Sequence, residues 1–184
     1  MAPDYPPIRR QDRAKEDTWV VQHITEAPYL ALALIRDGRP HINTNTFVYL
    51  SEPHAIYFHT APNGTLRTIV ESTPDCPVSA TAAAMGRLLP AEEAREFSVE
   101  FSSVVLFGTI SIVDDMAERR RGMEALNRKY FPHLEPGRHY RPVTDKELSQ
   151  ITVYRISIEH WTGKQKAVAA DFPGAFLYGS PPTD

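Results

Sequence analysis

The chain has 184 residues, of which 42% are hydrophobic and 23% charged, and its formal net charge is −3. These values fit one soluble globular domain with a sizeable core, and the lack of a basic excess argues against a nucleic-acid partner. The single cysteine, Cys76, excludes a disulfide framework within the chain and favours a reducing, cytoplasmic compartment. No run of 18 apolar residues is present, so no membrane-spanning segment is expected.

Composition divides the chain into three parts. Residues 1–16 form a Pro-rich, charged arm, residues 17–164 carry strand and helix patterns, and residues 165–184 form a tail with Gly, Pro and three aromatic side chains. We expect the arm to be ordered where it lies on a partner or on its own domain, and part of the tail to pack on a neighbour.

The first elements are a short helix and a hairpin. Asp17 or Thr18 can cap a helix that Pro28 closes. The apolar run YLALALIR at 29–36 predicts a buried strand. The following Asp-Gly pair predicts a tight turn into a second strand over residues 40–50.

The second strand of this hairpin carries four short polar side chains in succession, namely Asn43, Thr44, Asn45 and Thr46. Such groups cost stability where they are buried without hydrogen-bond partners. Two explanations remain open. The strand can be an edge that faces solvent, or its amide and hydroxyl groups can meet a flat polar ligand.

Residues 55–72 (AIYFHTAPNGTLRTIVES) combine a strand, a turn and a helix, with Thr65 as the predicted N-cap. Arg67 then lies in the first helical turn, where the helix dipole disfavours a cation. An anion held by the helix N–H groups, the Gly64 turn and Arg67 would resolve this conflict. The alternative is a solvated arginine in an ordinary turn.

Hydrophobic alternation and runs of small residues predict three strands in the second half of the chain. Residues 78–85 predict a strand, residues 90–94 a short helical turn, and residues 97–113 one long strand that bends at Gly108. Residues 151–161 predict the final strand.

Two helices lie between the last two of these strands. Asp115 caps the first, which ends before Pro132, and its Arg119-Arg120-Arg121 run is interpreted as a solvated start. A capping box at 144–147 begins the second helix.

About six mostly antiparallel strands with short peripheral helices indicate a mainly β (α+β) fold, either a closed or a split β-barrel. No Gly-rich nucleotide motif, serine-hydrolase elbow or paired carboxylates are present. No catalytic residue can therefore be assigned. His133, Glu135 and His139 have a metal-like spacing, but the intervening Pro and Gly favour a surface loop, so no metal site is predicted.

Several segments, in this order, resemble the pyridoxamine 5′-phosphate oxidase-like superfamily of FMN-binding split barrels. They are most similar to the small flavin-nucleotide-binding proteins that include the nitroimidazole-resistance reductases. The similarity covers about residues 18–164, through PYLALALIRDGRPHINTNTF, AIYFHTAPNGTLRTIVESTPDCPVSATA, EFSSVVLFGTISIVDD and YRISIEHWTGK. The resemblance implies a homodimer with two FMN molecules in the subunit interface.

The resemblance also implies a set of FMN contacts, all on strands or at the turn beside them. They are Asn43, Thr44, Asn45 and Thr46 at the ring edge, His59 and Thr60 near the ribityl chain and phosphate, Gly64 and Arg67 at the phosphate, Ser102 and Ser103 on the long strand, and Trp161 and Lys164 presented to the partner's flavin. The adjacent basic pair and the C-terminal arginine pattern of the true oxidases are absent, which argues against oxidation of pyridoxamine phosphate.

Three functions are compatible with this resemblance. The first is an FMN-dependent oxidoreductase that passes hydride from a nicotinamide to a small acceptor. The flavin would carry that chemistry, which would explain the missing catalytic constellation. The second is a non-catalytic flavin- or haem-binding module, with His41, His54 and His59 as candidate iron ligands. The third is a deazaflavin-dependent reductase. The sequence does not specify the substrate.

Overall fold

A computed structural model describes Tyr5 and residues 7–180. The strands are β1 (Ala14–Lys15), β2 (Leu30–Arg36), β3 (Arg39–Asn45), β4 (Val48–Leu50), β5 (Ala55–Thr60), β6 (Cys76–Leu89), β7 (Ser98–Ile112), β8 (Thr152–Lys166) and β9 (Phe176–Leu177). The helices are α1 (Asp17–Glu26), α2 (Thr65–Ser72), α3 (Met116–Tyr130) and α4 (Asp145–Ser149), with short 3-10 turns at Gln11–Arg13 and Ala94–Glu96.

The strands form one antiparallel sheet whose main path runs β3-β2-β6-β7-β8-β5-β4. β3 and β4 lie at the two ends of this path, yet only Thr46 and Phe47 separate them along the chain. The sheet therefore curls until its two edges approach each other without pairing. This arrangement confirms the predicted mainly β split barrel.

The barrel interior holds the main hydrophobic core. β2 contributes Leu30, Leu32 and Leu34, while β6, β7, β5 and β8 supply the facing aliphatic and aromatic side chains. α1 covers the end near Gly163, where an added Cβ would lie 2.7 Å from Val20. α2 follows β5 and covers the other end with its buried apolar face.

A second, smaller core lies outside the barrel, between α3 and the outward-facing residues of β4, β5 and β8. It contains Tyr57, Leu126 and Val153. The Asp115 carboxylate accepts a hydrogen bond from the N–H of Glu118 at 2.7 Å, as the predicted cap requires. α3 thus covers β5 and the first half of β8, while no helix of the described residues lies over the outer side of β2, β6 and β7.

Gly108 marks a register shift between β7 and β8, as the sequence predicts. Phe107 pairs with His160 and Gly108 pairs with Ile158, so Glu159 is an extra residue on β8. A Cβ at Gly108 would lie 2.0 Å from the carbonyl oxygen of Ser157, which explains the glycine. The bulge changes which side of the sheet each later residue of β8 faces.

Five local expectations differ from the structure, the first being that Glu16, and not Asp17 or Thr18, is the N-cap of α1. The predicted strand over 40–50 breaks at Thr46 and Phe47, because the Phe47 ring is fully buried and its N–H donates to the Tyr130 hydroxyl at 3.0 Å. The described residues contain nine strands rather than about six, the extra ones being short. Gly64, not Thr65, is the N-cap of α2. The helical turn expected at 90–94 lies at Ala94–Glu96.

Two of the three consecutive arginines of α3, Arg119 and Arg120, are partly buried rather than solvated, and Arg121 is exposed. The Arg119 Nε donates to the carbonyl of Val113 at 2.6 Å, and Arg120 contacts Val143 and Asp145. Arg121 lies 3.4 Å from the Tyr57 hydroxyl. These contacts attach the start of α3 to the barrel and to the loop before α4.

Parts of the arm and the tail pair with the same sheet. β1 pairs with the end of β8, and β9 pairs with β6. Tyr5 stacks on His160 with ring centroids 4.8 Å apart, and its hydroxyl donates to Glu159 at 2.7 Å. Within the described part of the chain, no helix combines the length and apolar character needed to cross a membrane.

Candidate functional site

Thr60 and His59 close β5 but face opposite sides of it. Thr60 pairs with Thr152 and lies beside the Tyr154 hydroxyl at 3.4 Å, on the barrel side. His59 pairs with Val153, which belongs to the core under α3. The two residues therefore cannot contact one ligand group from the same side, although the sequence suggested a shared role.

The Arg67 turn (residues 60–67) gathers hydrogen-bonding groups at the end of the barrel. Arg67 donates from Nη1 to the carbonyl of Pro62 at 2.9 Å and to the Thr152 hydroxyl at 3.2 Å. Its Nε donates to Glu71 at 2.7 Å. The guanidinium is held in one position, and its Nη2 has no hydrogen-bond partner among residues 5 and 7–180.

The backbone of this turn is suited to an anion. Gly64 has φ = 153°, a conformation open mainly to glycine, and a Cβ there would meet nothing within 4 Å. No side chain caps α2, so its first N–H groups lack a side-chain acceptor among the described residues, and a partly exposed guanidinium lies in the same turn. These features fit a phosphate group, which accepts hydrogen bonds and prefers a helix N-terminus.

A second group of sequence-predicted residues lies on the outer face, the side of β3, β2, β6, β7 and β8 that points away from the barrel core. Thr44 is level with Ala31, Thr81, Val105 and Thr162 across the five strands. Two residues before Val105 on β7, and on the same face, Ser103 pairs with Ala83 on β6 and with Lys164 on β8. Small side chains dominate these rows, and a shallow cavity of about 290 Å³ lies over Ala31, Thr81 and Val105 and extends toward Ile42 and Ser79, away from Ser103.

The remaining members of the predicted set face elsewhere. Asn43 and Asn45 point to the barrel side of β3 and hydrogen-bond each other, while Thr46 is exposed beyond the strand end. Ser102 faces away from Ser103 and lines a separate cavity of about 210 Å³. Trp161 faces the barrel core and donates from Nε1 to Asp17 at 2.9 Å.

The Arg67 turn and the Ser103–Lys164 pair lie at opposite ends of β8. Thr152, which contacts Arg67, and Lys164 are twelve residues apart on this strand, a separation of up to about 40 Å in a straight strand. They also face opposite sides of the sheet. One flavin could meet both groups only if a second chain supplied one of them.

The three candidate iron ligands are not brought together. His41 lies on β3, and its Nε2 is buried without a partner. The His54 ring packs edge-on against Trp161, and its Nδ1 lies 2.9 Å from the Tyr49 hydroxyl. The Nδ1 of His59 is also buried without a partner, and burial lowers the pKa of this imidazole. No cluster of three metal-binding side chains occurs in the described residues.

Two residues that contact the Arg67 turn could not be identified from the sequence. Thr152 and Tyr154 are fully buried, and burial raises the pKa of the Tyr154 phenol. Thr152 holds Arg67 in place, while Tyr154 stacks on Phe58 with centroids 5.0 Å apart. Both lie 85 or more residues from the turn along the chain, and only the pairing of β5 with β8 brings them to it.

The chain matches the model of a known protein family over most of its length. Residues 16–165 match the family model described as pyridoxamine 5′-phosphate oxidase, which spans the whole barrel from α1 to the end of β8. A sequence comparison with curated proteins gives no match.

Solved structures share the fold. The FAD and heme binding protein from Mycobacterium smegmatis is 24% identical, with a TM-score of 0.73 over 86% of this chain and 76% of that chain. The flavocytochrome Anf3 from Azotobacter vinelandii is 20% identical, with a TM-score of 0.72 over 97% and 86%. A putative 5-nitroimidazole antibiotic resistance protein from Bacteroides thetaiotaomicron is 18% identical, with a TM-score of 0.66 over 83% and 86%.

Proposed function

Because the chain belongs to the pyridoxamine 5′-phosphate oxidase family, we propose that it binds the FMN moiety of a flavin and acts as a flavin-dependent oxidoreductase. It would pass hydride from a nicotinamide to a small acceptor, in the cytoplasm. The observation that carries the proposal is the Arg67 turn, where an uncapped helix, an open glycine and the free Nη2 of Arg67 converge.

Arg67 would bind the flavin phosphate. Its Nη1 is already committed to Pro62 and Thr152, so the guanidinium plane is fixed before a ligand arrives. A preorganised donor loses little side-chain entropy on binding. Glu71 offsets part of the positive charge at 2.7 Å, so the helix N–H groups must supply much of the remaining attraction.

The outer face of the partner subunit would take the ring, because the Thr44 row lies level with Thr162, toward the end of β8 opposite the Arg67 turn. Thr44 offers a hydroxyl group to a flat polar edge. The Thr81 oxygen, whose hydrogen is donated to the carbonyl of Val104 at 2.9 Å, can accept, and Ala31 between the two threonines lets an aromatic plane approach closely. A homodimer that pairs two outer faces would bring the partner's copies of Ser103 and Lys164 to the same flavin. A bound flavin accepts and donates hydride at N5, so the protein need supply only binding, orientation and exclusion of water.

The test is flavin titration of purified protein after removal of bound flavin. We expect Arg67→Ala to weaken binding of FMN by about 1–3 kcal/mol, the usual size of a lost charged hydrogen bond. Arg36→Ala is the control, because that exposed arginine forms an ion pair with Asp37 at the hairpin. Unchanged affinity of Arg67→Ala would remove the phosphate assignment.

Catalysis is tested separately by anaerobic addition of a reduced nicotinamide. Bleaching of the oxidised flavin spectrum, followed by recovery with a small nitro-type or quinone acceptor, is the expected result. A flavin that binds but is not reduced would instead support a non-catalytic binding module.

Haem binding is the second candidate. It is favoured by the buried Nε2 of His41, which has no partner among the described residues, and by two structural neighbours, one a FAD and heme binding protein and the other a flavocytochrome. A Soret band in the purified protein that is lost in His41→Ala would support it. A haem spectrum that stays that of free haem after addition to the protein would exclude it.

A further inference from the structure

A cavity of about 300 Å³ lies outside the barrel, between the end of β5, α3 and the loop that carries α4. We call it the His59 cavity. Its walls combine the polar side chains of His59, Asn127 and Tyr140 with apolar ones that include Met123, Leu148 and Ile151. The proposed flavin site uses the opposite side of β5 and leaves this cavity without a role.

The polar groups of the cavity have hydrogen-bonding capacity to spare. The Nδ1 of His59 is buried with no partner, and a neutral imidazole presents one donor and one acceptor. Neither the side-chain amide of Asn127 nor the hydroxyl of Tyr140 bonds to another described residue. Unpartnered polar groups that converge between apolar walls are typical of a ligand site.

The rim carries no net charge. Arg141 donates to Glu147 at 2.6 Å. Hydrogen bonds from Thr144 and Arg141 lower the pKa of Glu147 to about 2, so this carboxylate stays ionised and paired. Donors and acceptors without a free charge suit a neutral, flat heteroaromatic ring better than a second anion.

The cavity lies directly behind the Arg67 turn. His59 precedes Thr60, and Ile151 precedes Thr152, which receives the Arg67 hydrogen bond. The strand ends that hold the proposed phosphate site on one side therefore form the cavity wall on the other. A ligand that continues past the phosphate around these strand ends would reach the cavity.

We infer that the His59 cavity holds the adenine ring of a flavin adenine dinucleotide whose phosphates lie at the Arg67 turn. This inference rests on the proposed function and deepens it, because it selects the dinucleotide over FMN. FMN ends at its phosphate and would leave the cavity and its unpartnered groups unused. Adenine supplies both donors and acceptors on its edge, together with a flat face for the apolar wall.

The experiment compares FAD and FMN titrations of the full-length protein after flavin removal. We expect FAD to bind at least about tenfold more tightly than FMN. His59→Ala and Asn127→Ala should each weaken FAD binding by about tenfold, a loss typical of a buried hydrogen bond, and should change FMN binding less than about twofold. His133→Ala, an exposed histidine after α3, is the control for loss of an imidazole.

A competition assay on the unmodified protein does not depend on how well a variant folds. Adenosine, which lacks a phosphate for the Arg67 turn, should weaken the apparent affinity for FAD and leave that for FMN unchanged. Equal affinities for FAD and FMN, with adenosine without effect on either, would overturn the inference while the proposed function stands. Failure of both flavins to bind would overturn the proposed function and this inference together.

Discussion

The ammonium group of Lys129 lies over the ring of Phe47, with Nζ 3.8 Å from the ring centroid. Phe47 is the buried residue that joins the two edges of the barrel, and the Lys129 Nζ has no hydrogen-bond partner among the described residues. Burial lowers the pKa of Lys129 to about 8. The ring face offsets only part of the cost of burying the charge.

We therefore expect Lys129→Met to stabilise the protein at pH 7, by about 1–3 kcal/mol in free energy of unfolding. Methionine keeps the length of the side chain and removes the charge. Chemical denaturation measures the change. Lys146→Met, at an exposed position in α4, is the control and should change stability by less than about 0.5 kcal/mol.

The pH dependence of the unmodified protein gives a second check on Lys129. Below about pH 8 the folded and unfolded chains both carry this charge, so its destabilising effect is present in full. Between about pH 8 and the ordinary lysine value of 10.5 the unfolded chain binds more protons, so the Lys129 contribution to stability rises with pH. The advantage of Lys129→Met should shrink across this window. An advantage that stays constant to pH 10.5 would contradict the assignment.

Arg87 and Glu100 join the end of the barrel to the C-terminal tail. The Arg87 guanidinium donates to both Glu100 oxygens at 2.9 Å, and to the carbonyls of Val168, Ala169 and Ala170. The N–H of Val168 donates to Glu100 at 2.9 Å. Together these contacts lower the pKa of Glu100 to about 2, and the hydrogen bond from Arg87 is the largest cause.

We expect Glu100→Gln to loosen the tail without unfolding the barrel. Amide hydrogen exchange at neutral pH should increase for residues 167–180, while β2 and β7 keep their protection. Glu93→Gln, in an exposed pair with Arg95, is the control. Because the Glu100 pKa is lowered, its contribution is present above the ordinary carboxyl pKa and is lost as pH falls toward about 2. The stability difference from Glu100→Gln should shrink over the same range.

The outer face is the surface through which we propose that two subunits pair. Ile42 is 69% exposed on edge strand β3 and lines the cavity over the small-residue rows. If two outer faces pair, Ile42→Arg should raise the dimer dissociation constant at least about tenfold, because it places a charge in an apolar contact. Flavin affinity should fall with it.

Light scattering after size-exclusion chromatography measures the mass. Phe131→Arg is the matched control, since this exposed aromatic residue follows α3 and lies away from the outer face. A monomer in the unmodified protein, or a dimer unaffected by Ile42→Arg, would contradict the proposed interface.

The limits of sequence reasoning follow from particular residues. Arg67 could be identified because its conflict with the helix dipole is local. Thr152, which fixes its guanidinium, is 85 residues away, and no local pattern links the two. His59 and Thr60 are adjacent, and the family resemblance implies a shared role at the ribityl chain and phosphate. Strand alternation instead places their side chains on opposite sides of β5. Lys129 lies in the last turn of α3, where a lysine is ordinarily solvated, and only the tertiary fold places it over Phe47.

The extra residue at Glu159 divides β8 into two parts whose odd-numbered residues face different sides of the sheet. Before it, the odd-numbered residues of β8, such as Val153, lie under α3; after it, odd-numbered residues such as Trp161 and Gly163 face α1 and the barrel core. Without the bulge, uniform alternation along all fifteen residues of β8 would turn Trp161 outward and Lys164 toward the barrel core. The bulge at Glu159 therefore decides which side chains of the second half of β8 are available at the surface where two subunits are proposed to meet.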